Sequence, residues 1–289
     1  MKNKLIAVAA AISMSGVVGQ SSAATYTFTN ITSSQASAVT SPASTPAVTV
    51  TAWSSKWPSS NTSDNGTDQY FNIGSTYDSY KGGEIIGAYL SGSGTLQVRS
   101  QSESTNQPDH AIDNDEALEA VLIDFGSNYV GSITDFMLSW AREANIGTSS
   151  TYDYHSWADV SILAYTGGDK NYNAQTVFGD TTTTFPSLTT AAGGWTQIGG
   201  TDFSNVSANS TRATGTTQTS RYWLIGASGL SGTLIDKGAD YIKLSKFSAT
   251  VTERPKDPPP STGVPEPESL ALVGVALAGM LLTRCRKQA

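Results

Sequence analysis

The chain has 289 residues, 24 of them acidic and 17 basic; five of the basic residues (Lys2, Lys4, Arg284, Arg286, Lys287) and two of the acids (Glu266, Glu268) lie at its ends. Between the ends stand 12 basic and 22 acidic residues, a formal charge of −10, which argues against nucleic acid or an anionic polysaccharide as partner unless metal ions intervene. The only cysteine is Cys285, so no internal disulfide can form, and stability must come from a core that a stretch of this length can build.

The N-terminus has a basic start at Lys2 and Lys4, an apolar stretch over 5–18 and a small-residue region, Ser21-Ser22-Ala23-Ala24. These features predict a secretory signal peptide over 1–24, with cleavage after Ala23 or Ala24 and a mature chain beginning near Thr25. Residues 32–46, rich in Ser, Thr, Ala and Pro, read as a flexible lead-in.

From there helical periodicity is almost absent, and Gly, Ser and Thr punctuate short alternating segments. Strands are predicted at 25–29, 48–53, 95–100, 120–125, 133–140, 159–165, 222–227 and 241–251. In the last, Tyr241, Lys243, Ser245, Phe247, Ala249 and Val251 face one way and the intervening residues the other. That alternation is imperfect, as an edge or bulged strand would be. Short strands without intervening helices predict an all-β ectodomain over 25–252, an antiparallel β-sandwich of jelly-roll or related type. The polar stretches 171–192 and 202–220 read as long surface loops. Residues 253–263, with Pro255 and Pro258-Pro259-Pro260, read as a Pro-rich spacer.

The tail over 264–289 begins Val264-Pro265-Glu266-Pro267, continues as an apolar run over 270–282 and ends with Arg284-Cys285-Arg286-Lys287. As a helix the run would span roughly 20 Å, short of the about 20 residues of a comfortable membrane span. Arg284, Arg286 and Lys287 can snorkel to headgroups and mark the cytoplasmic side. A single transmembrane helix over about 269–283 is therefore expected, with the upstream domain held outside.

This tail resembles the PEP-CTERM sorting signal of Gram-negative bacteria, whose recognition and cleavage are attributed to membrane-embedded exosortases. The resemblance rests on Pro265, Glu266 and Pro267, the apolar run and the basic end, in that order; Cys285 between two arginines departs from the pattern and leaves its basic character intact. Upstream, Pro108-Asp109-His110-Ala111-Ile112-Asp113-Asn114, Ala158-Asp159-Val160-Ser161-Ile162-Leu163-Ala164-Tyr165, Gly194-Trp195 and Tyr222-Trp223-Leu224-Ile225-Gly226-Ala227 resemble an exosortase-dependent surface protein family. The resemblance implies that Pro265, Glu266 and Pro267 are read as a substrate motif. It also implies the secretion machinery and an exosortase as partners, the inner membrane as a station before processing, and the cell surface or extracellular space as destination.

The sharpest polar cluster upstream is Asp109, His110, Asp113, Asn114, Asp115 and Glu116. Asp109, Asp113, Asn114 and Asp115 offer hard oxygen ligands of the kind Ca²⁺ takes, without the spacing of an EF-hand; a polar turn whose side chains bond their own backbone is the alternative. No cofactor is required by any other motif. The only imidazoles, His110 and His155, sit in no serine-hydrolase or zinc motif, so the chain is not expected to be an enzyme, although two acids meeting in space to hydrolyse a glycoside stay open. Among the six Trp residues, Trp140 and Trp223 lie in apolar strand patterns and are expected in the core. Tyr152, Tyr154 and Trp157 mix rings with hydrogen-bonding groups and suit carbohydrate binding. Three functions follow: a structural or adhesive surface or extracellular-matrix protein, a Ca²⁺-dependent carbohydrate-binding module that takes extracellular polysaccharide, or a secreted hydrolase.

Overall fold

Alternating apolar and polar residues make strands of most of the chain. The computed structural model describes residues 21–28, 36–39, 45–55, 85–91, 94–99, 111–114, 117–145, 153–168, 171–178, 180, 182–232 and 238–254. The chain divides into two compact units, Met1–Arg254 and Pro255–Ala289, and every described residue belongs to the first. The predicted apolar stretch 5–18, the spacer from Pro255 onward and the whole tail, with Pro265, Glu266, Pro267, Arg284, Arg286 and Lys287, lie outside the described residues, as do Asp109, Asp115 and Tyr152. Among the described residues no helix is long and apolar enough to cross a membrane.

Among the described residues the strands form three antiparallel sheets. The six-stranded sheet runs β1 (Ser21–Thr27), β16 (Ala239–Glu253), β9 (Tyr129–Asn145) and β10 (Asp153–His155), with β14 (Thr211–Ala213) also paired to β9 and β7 (Ile112–Asp113) to β16. The eight-stranded sheet runs β12 (Trp195–Gln197), β11 (Trp157–Tyr165), β15 (Tyr222–Ala227), β8 (Glu119–Asp124), β3 (Val48–Ser55) and β2 (Ala36–Val39); β13 (Phe203–Ser207) also pairs β11 and β4 (Ile85–Gly87) pairs β3. A third, two-stranded sheet joins β5 (Tyr89–Ser91) to β6 (Gln97–Arg99). Strand β2 thus falls inside the stretch expected as a flexible lead-in.

The two larger sheets share one hydrophobic core. Tyr26, Phe136, Leu138, Ile242, Phe247 and Val251 enter it from the six-stranded sheet, and Val50, Val121, Ile123, Val160, Trp223 and Ile225 from the eight-stranded one. Tyr26 stacks on Phe247 at 4.8 Å between ring centroids, and Phe125 meets both rings edge-on. Each such side chain removed from water stabilises the fold by about 1.5–3 kcal/mol. The Trp223 indole N–H, which could not be buried unpaired, donates to the carbonyls of Gly131 and Ser220.

The other face of the eight-stranded sheet carries a second cluster, and here two expected loops turn out to be structured. Residues 171–192 contain two short helices, α1 (Ala174–Phe178) and α2 (Phe185–Leu188), whose buried residues Ala174, Phe178, Phe185 and Leu188 pack on Leu122, Leu163 and Leu224. Thr184 and Ser187 cap α2 reciprocally, each side chain accepting the other's backbone N–H. Four apolar side chains among polar neighbours were enough to dock these helices, although no helical stripe of useful length marks them in the sequence. The stretch 202–220 likewise contains β13 and β14, pinned through Phe203 and Val206.

The pairing of β9 with β16 positions everything that follows. Register runs from Tyr129 opposite Glu253 to Ala144 opposite Ala239, and shifts between Lys243 and Leu244, again between Leu244 and Lys246, and once more between Ser248 and Ala249. Ser139 and Ser245 are the residues skipped by the first two shifts, one on each strand, and Thr134 by the third. Each serine hydroxyl donates across the break, Ser139 to the carbonyl of Lys243 at 3.2 Å and Ser245 to that of Met137 at 2.9 Å. A residue added to one strand reverses which side chains point inward. Before the break in β16 the buried positions are Asp240, Ile242 and Leu244; after it they are Phe247, Ala249 and Val251. The imperfect alternation seen in the sequence is therefore a bulge, in an interior strand of its sheet. Trp140 requires a correction for the same reason. Phe136, Leu138 and Trp140 alternate in the sequence and suggest three core residues, but the extra Ser139 turns Trp140 outward, where it is only half-buried, and sends Ala141 and Glu143 inward.

Candidate functional site

The reversal at Ser139 places an acid in the core. Glu143 and Asp240 lie opposite each other in the β9–β16 register and both are buried. Asp159 approaches from β11 of the other sheet, where the pairing with β13 shifts between Ala158 and Val160. One carboxylate oxygen from each of Glu143, Asp159 and Asp240 lies within 4.8 Å of the others. All three residues are at least 97% buried, with exposures of 3%, 1% and 0%.

Backbone donors hold this trio. The Asp159 N–H donates to Asp240 Oδ1 at 2.6 Å, and the Asn205 N–H donates to Asp159 Oδ1 at 2.7 Å. Asn114, just past β7, binds Asp240 from both ends: its Oδ1 accepts the Asp240 N–H at 2.7 Å and its Nδ2 donates to Asp240 Oδ2 at 3.2 Å. The same Nδ2 donates to the carbonyl of Ser228 at 3.0 Å, tying the cluster to the end of β15. Gly238 leaves room for Glu143: a Cβ there would stand 2.7 Å from Glu143 Cγ. Three carboxylates converging in a buried space concentrate negative charge and offer hard oxygens, the donor set that suits a divalent cation such as Ca²⁺. Such an ion takes six to eight oxygens, so further ligands would have to join these three.

A second buried carboxylate shows the contrast. Asp202 Oδ1 accepts from Ser161 Oγ and Gln197 Nε2, and its Oδ2 accepts from Ser228 Oγ at 2.7 Å and the Gly229 N–H at 3.0 Å. Four donors on one carboxylate make it a clamp between β11 and the chain after β15, and its lone pairs are spoken for.

Of the residues singled out in the sequence, Asn114 reaches the trio. Asp113 does not: its backbone N–H donates to Glu119 Oε2 at 3.3 Å, and in register it stands opposite Tyr241, on the face turned away from the core. Tyr154 and Trp157 carry separate contacts. Tyr154 lies under the Arg142 guanidinium, 3.5 Å from its ring centroid, while Trp157 stacks on His155 with centroids 4.3 Å apart. Because successive strand residues point to opposite faces, Tyr154 and its neighbour His155 look different ways. Sequence reasoning missed Glu143, Asp159 and Asp240. The available signal was an acid inside each of three otherwise apolar strand ends, and it becomes meaningful only once the bulge and the pairing are known.

The chain's destination is read from its other unit. Residues 263–287 match the family pattern described as the PEP-CTERM protein-sorting motif. The C-terminus is a PEP-CTERM sorting signal. It marks the chain as an exported surface protein that an exosortase recognises, with a membrane-anchored C-terminal sorting segment. The PEP-CTERM match covers Pro265, Glu266, Pro267 and the basic residues Arg284, Arg286 and Lys287, and the described strands lie upstream of it. No curated protein and no solved structure matches the chain.

Proposed function

We propose that this chain is an exosortase substrate delivered to the cell surface or extracellular matrix, where an antiparallel β-sandwich does structural or adhesive work rather than catalysis. The PEP-CTERM signal at 263–287 carries the reading. Its apolar run over 269–283 anchors the precursor in the inner membrane, the Pro-rich stretch 253–263 keeps Pro265, Glu266 and Pro267 extended for a protease cleft, and the N-terminal segment 1–24 directs export and is removed. The sandwich reading draws on the core shared by the two larger sheets. The non-catalytic reading draws on the burial of the acids: Glu143, Asp159 and Asp240 meet where no polymeric substrate can touch them. The test is the intact mass of the mature protein from cells that possess an exosortase. A C-terminus trimmed upstream of the basic end is expected; an intact Ala289 end in such cells would refute the reading.

A second reading, Ca²⁺-dependent carbohydrate binding, is favoured by one observation: Asn114, from the loop whose oxygens suggested Ca²⁺, binds Asp240 of the buried trio. In this form the ion sits between the sheets and stiffens the domain, and sugar is bound at the surface. Screening immobilised glycans with Ca²⁺ and with EDTA tests it, and sugar binding unaffected by EDTA would remove the ion from the account.

A further inference from the structure

We propose that the outward face of β9, β16 and β10 binds an acidic polysaccharide, one whose sugars carry carboxylates, through a patch made of Trp140, Arg142, Tyr154, Tyr241 and Lys243. This deepens the adhesive reading above and rests on it. The patch exists because of the serine bulge. With Ser139 inserted, Trp140 stands opposite Lys243 and Arg142 opposite Tyr241, all on the face turned away from Leu138, Ala141, Ile242 and Leu244. Tyr154 joins them from β10, opposite Ala144, and at 39% exposed it is the large hydrophobic most open to solvent among the described residues.

The contacts within the patch pair each cation with a ring. The Arg142 guanidinium carbon lies 3.5 Å from the Tyr154 ring centroid, and Lys243 Nζ lies 5.3 Å from that of Trp140. Among the described residues the ion pair present is Arg221 with Asp124, elsewhere in the fold, so the two patch cations are held by rings and not by described acids. Among the described residues the acids on this face are Asp113, buried opposite Tyr241, and Asp135, opposite Ser248 and beyond Lys246. Burial of the Lys243 stem pulls its ammonium below the ordinary lysine value, and an arriving carboxylate would favour the charged form again.

Each element of the patch matches one element of an acidic sugar polymer. Flat rings stack on the apolar faces of pyranoses. A guanidinium lying on a ring keeps its in-plane N–H groups free for a carboxylate fork, and the two cations, diagonal across neighbouring strands, are about 7–8 Å apart at their backbones. The net charge of −10 forbids a general attraction to polyanions, but screening limits that repulsion to about 8 Å at physiological salt. A local basic and aromatic patch therefore decides binding where it lies, and a polymer with one charge per sugar suffers less from the acidic surroundings than duplex DNA, which carries one charge per about 1.7 Å of its axis.

The experiment is affinity electrophoresis of the full-length chain in mild detergent through native gels containing polygalacturonate, dextran or double-stranded DNA. Polygalacturonate should retard the chain, dextran should not, DNA should retard it less, and added salt should weaken the effect. Arg142→Gln combined with Lys243→Gln should weaken retention at least tenfold, and Trp140→Ala should do so without changing its salt dependence; Lys246→Gln should change little. Equal retardation by dextran, stronger retardation by DNA, or a folded double variant that binds as before would each overturn the proposal. Should the double variant melt early, the polymer and salt comparison on the unaltered chain decides alone. Because the assay needs no export, failure of the sorting reading would appear separately, as an intact tail in the mass measurement.

Discussion

Replacing Glu143 by Gln removes one charge from the buried trio while keeping its shape. At 4.8 Å and an effective dielectric of 20, two unit charges repel by about 3 kcal/mol. The three pairs together come to on the order of 10 kcal/mol if all three are ionised, comparable with the whole stability of a domain. Compensation must come from protons, neighbouring groups or a bound cation, and the Gln variant distinguishes them by the sign of its effect. If a divalent cation supplies it, the wild type in EDTA is strained and Glu143→Gln, which removes two of the three repulsions, melts higher than the wild type. At Ca²⁺ one hundred times its dissociation constant the wild type gains about 2.7 kcal/mol, which for a domain of this size is a rise of about 5–11 °C. The variant should lose most of that rise, so its lead over the wild type narrows between EDTA and Ca²⁺. Differential scanning calorimetry in both media reads this directly. A variant that melts below the wild type in EDTA, with neither protein moved by Ca²⁺, would refute the cation and show the trio to be neutralised from within the chain.

Tyr26, whose phenol donates to the carbonyl of Pro46 at 3.0 Å, is pushed by burial from 10.0 up to about 12. Its protonated form is favoured in the folded state, so its contribution is intact below pH 10 and is lost as pH rises from 10 towards 12, at up to about 1.4 kcal/mol per pH unit. Urea midpoints measured from pH 9 to 11.5 should fall less steeply for Tyr26→Phe, which at neutral pH costs about 1 kcal/mol for the lost hydrogen bond; parallel curves would refute the assignment. Gly131→Ala would set a Cβ 2.3 Å from Cζ of Phe125, itself 1% exposed, and should destabilise the fold by about 1–3 kcal/mol, with an unchanged thermal midpoint counting against that packing. Glu266→Ala should leave strand content by circular dichroism unaltered while the tail stays uncleaved, and normal trimming of this variant would remove Glu266 from the recognised motif.

Strands were legible where one pattern persisted. The stretch 222–227 forms β15 with the same bounds because its residues are buried on both faces and no register question arises. The stretch 133–140 was found but extends to Tyr129–Asn145, since Glu143 and Arg142 end the apolar run without ending the strand. The helices α1 and α2 escaped notice because four or five residues give no measurable period, and their docking depends on the Leu122, Leu163 and Leu224 surface beneath them. Asn114 was singled out for its oxygens, yet its partners Asp240 and Ser228 lie 126 and 114 residues away. Nothing local could have named them.

What the amino-acid sequence determines unaided are the properties encoded in contiguous residues: a sorting signal, an acidic middle without a disulfide, and a β-class domain. The convergence of Glu143, Asp159 and Asp240 and the outward patch around Trp140 were decided only in three dimensions. Both depend on one skipped serine in β9, because a strand's side chains alternate and a single inserted residue exchanges the buried face for the exposed one.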